Sequence, residues 1–246
     1  MNVKSNYYNK NDTFFRPANL EKIKRLYDFD KSKRLKILDI GCGDGKIGSQ
    51  FIKKGHEVFG LDISTSACNQ AKEFGIKALI HDVETTFPFE DDYFDMVIAT
   101  DILEHVFDPL YIVNEARRVL KNEGKFIAAI PNHFDLRNRM NILQGGGIVH
   151  WDNKKLASAN DYGHIRFLRY KDISQMINKA DMHIHKNQFN FMGGGLIPTK
   201  IIPKFVRLFL LKKLPNLFTG KFIFLAKKNK PEKIKNILIS NTPLGL

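Results

Sequence analysis

Between Lys36 and Gly48 the chain reads KILDIGCGDGKIG, four glycines in eight residues behind an apolar run. Glycines at that density let a backbone turn tightly beside a ligand and bring its amides to face polar groups. The spacing fits two kinds of ligand. Gly43-Asp44-Gly45-Lys46-Ile47-Gly48 has the G-x-G-x-x-G form that cradles a dinucleotide pyrophosphate. Gly41-Cys42-Gly43-Asp44-Gly45, following Asp39, reads instead as a loop for a nucleoside with a charged tail. Both readings need an acid at the end of the second strand to bond ribose hydroxyls, and Asp62 in GLDIS supplies it.

Three features separate the two. Asp39 ends the first strand just ahead of the loop; a carboxylate there repels a pyrophosphate but suits the ammonium of a bound amino acid. Asp82, in HDVE, closes the third strand, where a carboxylate accepts the adenine amino proton. After the fourth strand comes TDILEHV, whose Thr100 and Asp101 lie at the carboxyl end of the sheet, where open α/β folds bind ligands. The chain also lacks room for the separate substrate domain of many dehydrogenases. A nucleoside carrying an amino-acid group is the better match, and Gly48 becomes a helix residue that allows close packing.

These residues must be positioned by a sheet. Apolar runs alternate with helical patterns, as in βαβ units. Strands are predicted at 36–40, 57–62, 77–83, 95–103 and 125–132, with helices near 45–54, 64–74 and 108–120 between them. Asp108 is suited to cap the last helix, Pro109 to open it and Gly124 to stop the element. A further helix is expected near 17–28. Residues 133–169 show no strong period. Beyond them the pattern predicts a helix near 171–180, strands at 182–191 and 220–228 forming a hairpin-like pair, and a basic helix at 201–215 facing the core. One domain accounts for 1–246: a cofactor half at about 17–132, an acceptor-recognition insertion at about 133–170, and C-terminal strands with the basic helix at 171–230.

Composition narrows the class. The 246 residues are 43% hydrophobic and 26% charged, ordinary for a globular protein. Two cysteines make no disulfide framework, and no Cys/His cluster has zinc spacing, so no metal is expected. No apolar run has transmembrane length, and a cytoplasmic location is the expectation. Net charge is +13, of which residues 200–235 contribute +10, with 11 Lys/Arg against one acid. Such a region serves an anionic partner or is a solvated surface.

Taken in order, ILDIGCGDG, GLDIS, HDVE, FDMVIATDILEHVFDP and EARRVLKNEGKFIAAIPN resemble the motifs of class I S-adenosylmethionine-dependent methyltransferases, in the bacterial small-molecule branch with an EHV turn. The likeness is strong over 33–132, with a weaker echo at 163–182. It implies an α/β, Rossmann-like, doubly wound seven-stranded sheet, mostly parallel, with helices on both faces and an antiparallel strand seven beside strand five. It implies S-adenosyl-L-methionine as cofactor and S-adenosyl-L-homocysteine as product. By the same resemblance Asp39, Gly41, Cys42, Gly43 and Gly45 face the methionine moiety, with Thr100 near its amino group. Asp62 takes the ribose, Ile63 packs near the adenine, and Asp82 with the Val83 amide reads the adenine edge.

A methyl acceptor that carries a proton needs a base. His105, beside the site in LEHV, and His133, at the end of strand five, are the candidates; His183 and His185 alternate on a strand and are not. Asp101, His150, Trp151, His164 and Arg166 are the expected acceptor contacts, and Tyr7, Tyr8, Phe14 and Phe15 a lid. Arg137, Arg139, Arg166 and Arg169, with the basic C-terminal region, favour a small anionic acceptor, such as a phosphorylated, phosphoramidate or nucleotide-linked capsule precursor methylated on oxygen. Two alternatives stay open: a quinone or lipid-linked acceptor methylated at the membrane surface through 201–215, and an RNA substrate. Nucleic acid is not the expected partner, and nothing in the sequence sets the oligomeric state.

Overall fold

The computed structural model describes residues 33–146, 163–191 and 202–229. The helix expected near 17–28, the four lid aromatics, His150 and Trp151 lie outside the described residues. The described elements are β1 (Lys36–Ile40), α1 (Gly48–Ile52), β2 (Glu57–Asp62), α2 (Thr65–Glu73), β3 (Lys77–Ile80), β4 (Phe94–Thr100), α3 (Pro109–Val119), β5 (Leu120–Pro131), α4 (Leu136–Leu143), α5 (Tyr170–Lys179), β6 (Met182–Phe191), α6 (Lys204–Lys213), α7 (Pro215–Phe218) and β7 (Thr219–Lys228). They build one seven-stranded sheet in the order β3-β2-β1-β4-β5-β7-β6. Strand β7 runs antiparallel to both β5 and β6; the remaining pairings are parallel.

The apolar runs divide between two cores because successive strand residues point to opposite faces. Leu38, Ile40, Val97, Ala99, Phe126, Ala128, Phe222 and Phe224 join one core with Ile112 and Val113 of α3 and Ile173 and Ile177 of α5. Ile37, Met96, Ile98, Ile127, Ala129, Ile223 and Leu225 join the other with Phe51 of α1 and Cys68 and Ala71 of α2. Burial on both faces explains why the central strands are continuous apolar runs rather than alternating ones.

Element ends follow local chemistry. The Asp108 carboxylate accepts the amides of Leu110 and Tyr111, with Pro109 at the first helical position of α3. The Ser64 hydroxyl accepts the Ala67 amide and so caps α2. Strand β4 stops at Thr100, not at 103, because Asp101 turns to φ +54°. Strand β3 stops at Ile80, not at 83: Asp82 Oδ1 accepts the Glu84 amide and its carbonyl accepts the Thr85 amide, a turn in place of a ladder. Gly124 does not end the helix. It lies within β5, which starts early because Leu120 pairs with Phe94 before the register shifts.

Two expectations change. The irregular stretch after Asn132 contains α4, opened by Asp135 accepting the Asn138 amide; its apolar residues are few and Ile142 and Leu143 are exposed, so no period marks it. Helix α6 is not core-facing. Only Leu211 is buried on it, while Phe205, Leu208 and Phe209 are 73%, 56% and 59% exposed. Among the described residues no helix is long and apolar enough to cross a membrane.

The Asp108 cap predicts that Asp108→Ala lowers unfolding free energy by about 1 kcal/mol, with Asp108→Asn close to wild type. Paired urea melts check this.

Candidate active site

The carboxyl ends of β1, β2, β4 and β5 meet around the glycine loop. The Gly41 and Cys42 amides both donate to the Leu61 carbonyl, at 2.8 and 3.0 Å, which stitches the loop to β2. Gly41, Gly43 and Gly45 all have positive φ, a region that side chains resist. Their surroundings differ. A Cβ on Gly45 would lie 2.7 Å from Ile76 Cδ1 and 2.8 Å from Ala71 Cα, so this glycine serves loop-to-helix packing. Nothing lies within 4 Å of a Cβ built on Gly43, so open space adjoins the loop there. A Cβ on Gly48 would strike Ile76, consistent with the close-packing role expected of it. Cys42 is buried, and its Sγ fills the space beside Gly60 of β2.

Two carboxylates face this loop in unlike surroundings. Asp62 Oδ2 accepts the Gly43 amide and Oδ1 the Ser64 amide, at 2.8 and 2.9 Å. Burial raises its pKa, and these backbone bonds work against the rise. A carboxylate offers about four acceptor positions, so each oxygen retains one for a diol. Asp39 is almost wholly buried, and among the described residues neither of its oxygens has a hydrogen-bond partner. Burial first, and the nearby Asp62 charge second, push its pKa up to about 8. A buried carboxylate without donors is stable neutral or beside a cation. An ammonium delivered by a ligand satisfies it, whereas a pyrophosphate adds a third negative charge. The loop, the open side of Gly43, Asp62 and Asp39 therefore fit a nucleoside carrying an amino-acid group.

The other expected cofactor contacts lie around the same edge. Ile63 follows β2 and Val83 is buried in the core beside β3. Asp82 holds its turn with one oxygen, and Thr100 is buried at the end of β4. Asp101, in the left-handed conformation, is paired with Lys221 of β7, its Oδ2 lying 2.6 Å from Nζ.

Histidines gather next to this edge. Glu104, fully buried in the turn after β4, has Oε1 3.8 Å from His164 Nε2 and 4.0 Å from His105 Nε2. His133 Nε2 and His164 Nδ1 are hydrogen-bonded at 2.6 Å. The Ile165 and Arg166 amides donate to the Glu104 carbonyl, pinning the segment that carries His164 to the β4 turn. The structure thus brings together His105, His133 and His164, and adds Glu104 and Lys221, which sequence reasoning had not assigned. The signal for Glu104 was its place in LEHV; Lys221 had none, because its relation to Asp101 exists only across strands β4, β5 and β7.

The arginines are engaged locally. Arg166 donates to the Val106 and Phe107 carbonyls, Arg139 to the Phe134 carbonyl, and Arg169 pairs with Asp172. Arg137 is 4.0 Å from Asp135. Phe107, Ile165 and Phe167 are exposed near these groups, and Phe167 stacks edge-on to His133.

Residues 38–128 match the model of a family described as "Methyltransferase domain". A ubiquinone biosynthesis O-methyltransferase of Rickettsia felis is 26% identical over 195 residues, 74% of this chain and 77% of that protein. An uncharacterised protein of Methanocaldococcus jannaschii is 36% identical over 113 residues, 44% of this chain; the chain spans only 45% of that relative's length. A second from the same organism, 31% identical over 142 residues and 58% of this chain, is covered to 62%. Among solved structures, a SAM-dependent methyltransferase from Archaeoglobus fulgidus superposes with TM-score 0.58 at 18% identity, covering 86% of this chain and 92% of that one. The likeness to that structure is one of fold alone. The matched segment is thus similar to a methyltransferase domain, and the sheet order is the mixed seven-stranded one that the resemblance implied.

Asp39 generates a pH signature in the ligand-free protein. Its folded pKa of about 8 lies above the unfolded value of 3.8, so the folded state binds the extra proton between them. That contribution to stability is complete below pH 3.8 and is lost as pH rises towards 8. Melting temperatures of wild type and Asp39→Asn, measured across this range, are expected to converge at low pH and diverge in favour of Asn at high pH.

Proposed function

We propose that the chain transfers the methyl group of S-adenosylmethionine to a hydroxyl oxygen of a small acceptor with an apolar body, of the hydroxylated aromatic or quinone-precursor kind. The observation that carries this reading is the apolar rim of Phe107, Ile165 and Phe167 beside the buried Glu104 and histidines. The R. felis relative, by its name, methylates oxygen in ubiquinone biosynthesis. The anionic acceptor expected from the arginines has little behind it, since Arg139, Arg166 and Arg169 are bonded to carbonyls or to Asp172. A capsule precursor is accordingly not our reading.

The cofactor supplies an activated methyl on a sulfonium with a neutral leaving group. What remains for the protein is alignment, which contributes roughly 7–11 kcal/mol when a bimolecular step is made intramolecular. In this reading Asp39 holds the ammonium, Asp62 the ribose, and Asp82 with the Val83 amide the adenine. Gly41, Cys42, Gly43 and Gly45 supply backbone close to the methionine moiety, with Thr100 near its amino group and Ile63 near the base. Asp101, locked by Lys221, forms one wall of the acceptor space, which opens towards Phe107 and Phe167. The proton of the acceptor hydroxyl is the charge of the histidine cluster, with His105 and His133 in the roles the sequence suggested and His164 between them.

Calorimetry with S-adenosylhomocysteine is expected to find binding that Asp62→Ala weakens about tenfold to a hundredfold, the loss of charged hydrogen bonds. Absence of binding by the wild type would overturn the cofactor assignment for this chain. Mass spectrometry of methyl transfer to catechol-type, sugar-nucleotide and phosphorylated acceptors is expected to favour the first.

Surface association is a second reading that α6 supports. Its exposed Phe205, Leu208 and Phe209 repeat at helical spacing, beside Lys204, Lys212 and Lys213 and with no acid on the helix. That is the composition of a helix lying on an anionic lipid surface. We expect co-sedimentation with vesicles containing phosphatidylserine, lost on Phe205→Ser/Phe209→Ser and reduced on Lys212→Glu/Lys213→Glu; pelleting that neither pair alters excludes α6 as the contact.

A further inference from the structure

We propose that Cys42 and Cys68 form a reversible oxidation site: a peroxide converts the pair to a disulfide that ties the glycine loop to α2 and weakens nucleoside binding. They are the only two cysteines in the chain, too few for a disulfide framework, yet the fold brings them together. Cys42 sits in the loop between Gly41 and Gly43, Cys68 on α2, and their side chains are hydrogen-bonded to each other.

Close approach of backbones builds this contact. Gly60 of β2 leaves the space that Cys42 Sγ fills: a Cβ there would lie 2.6 Å from the sulfur. Further along the loop, a Cβ on Gly45 would lie 2.8 Å from Ala71 Cα, on the same helix as Cys68. A disulfide needs Cα atoms roughly 4.4–6.8 Å apart, and side chains already in hydrogen-bond contact need only a small shift to meet that. Cys68 is placed from its other side as well. Its Sγ lies 3.4 Å from the Leu79 carbonyl and 3.5 Å from the carbonyl of Asp62, the residue whose carboxylate accepts the Gly43 amide. The pair therefore joins the loop to the backbone of the acid expected to hold the ribose.

The bond between the two thiols holds Cys68 below the ordinary cysteine range and pushes Cys42 up, so Cys68 is the sulfur that ionises first. Both are buried, and the open space beside Gly43 is the path by which a peroxide reaches them when no nucleoside covers the loop. The Cys68 thiolate attacks a peroxide oxygen: an S–O bond forms, the O–O bond breaks, and the departing hydroxide takes up the proton that Cys68 lost. Cys42 sulfur then attacks Cys68 Sγ: the S–S bond forms, the S–O bond breaks, and the oxygen leaves with the Cys42 proton as a second water. Two thiols lose two electrons in all, and one hydrogen peroxide is reduced to two waters. Disulfide sulfurs stand about 2.05 Å apart, closer than hydrogen-bonded thiols, so oxidation draws Cys42 towards α2. The Gly41, Cys42 and Gly43 amides that register the loop on Leu61 and Asp62 move with it. The effect on affinity rests on the methyl-transfer reading; the bridge itself does not.

The test compares the full chain after hydrogen peroxide with the same protein reduced by dithiothreitol. Peptide mass spectrometry without reduction is expected to find the Cys42 and Cys68 peptides joined, two hydrogens lighter than their sum. Calorimetry is expected to find S-adenosylhomocysteine bound at least about tenfold more weakly after oxidation, with affinity restored by dithiothreitol. Saturation with S-adenosylhomocysteine beforehand is expected to slow bridging. Cys68→Ala is expected to keep its affinity through peroxide treatment; an equal loss in that variant overturns the switch. Two unbridged cysteines after peroxide, sulfinic or sulfonic acid in place of the bridge, or a bridge between two molecules overturns the site. A bridge that leaves affinity unchanged overturns the switch. Where Cys68→Ala does not fold, reversal in the wild type decides: affinity that returns as the bridge opens supports the proposal, and affinity that stays lost overturns it. A bridge in a protein whose reduced form binds no S-adenosylhomocysteine leaves the oxidation site standing and overturns the methyl-transfer reading.

Discussion

Two carboxylates share the low-dielectric end of the sheet, and the glycine loop reaches only one of them. Asp62 receives the Gly43 and Ser64 amides; Asp39, a strand away, receives none from the described residues. Burying the second charge without a donor is costly unless something positive arrives. Much of the local design serves this inequality. Positive φ at three glycines brings the loop down onto the end of β2, and the Leu61 carbonyl accepts two loop amides to hold it there. The Asp62 to Ser64 bond carries the same constraint into the cap of α2. The outcome is a space with a satisfied acid on one side and an unsatisfied one on the other, matched to a ligand with a neutral diol and a positive amine.

The second chemical feature is built by a different logic. Around Glu104 the polar groups come from three places: the turn after β4, the end of β5, and the segment entering α5. None is near another in sequence, and a few backbone bonds register them. The apolar rim beside them and the local engagement of the arginines alter the view of the acceptor from the one composition suggests. The arginines whose number suggested an anionic acceptor are bonded to carbonyls and to Asp172. The remaining excess sits largely on the C-terminal region, where α6 combines it with exposed aromatics rather than with a pocket.

Sequence and structure agree most closely where a local rule acts alone. The extents of β1 and β2, the Asp108-Pro109 start of α3 and the Ser64 start of α2 are short-range effects, and these boundaries were legible to within a residue or two. Agreement weakened where backbone conformation overruled composition. Asp101 and Asp82 both cut short apolar strands by turning the chain, and neither turn announces itself in a run such as DMVIATDIL. Helix α4 had no apolar stripe to betray it, since its outer residues Ile142 and Leu143 face solvent. Helix α6 had a clear pattern whose direction could not be read, because periodicity reports that a face exists and not what it meets.

The sequence by itself made most of the cofactor half of this protein legible: alternating strands and helices through the βαβ rhythm, and, in the acid at Asp39, a reason to expect a nucleoside with an amino-acid group rather than a dinucleotide. Those choices are legible because loop, acid and strand are contiguous, so spacing along the chain is spacing in the site. Only the tertiary structure decided that Asp101 is held by Lys221, that Glu104 stands between His105 and His164 with His133 behind, and that α6 turns its aromatics outward. These are contacts between distant segments, and their geometry comes from how the sheet closes its β5, β7 and β6 edge, which no local spacing encodes.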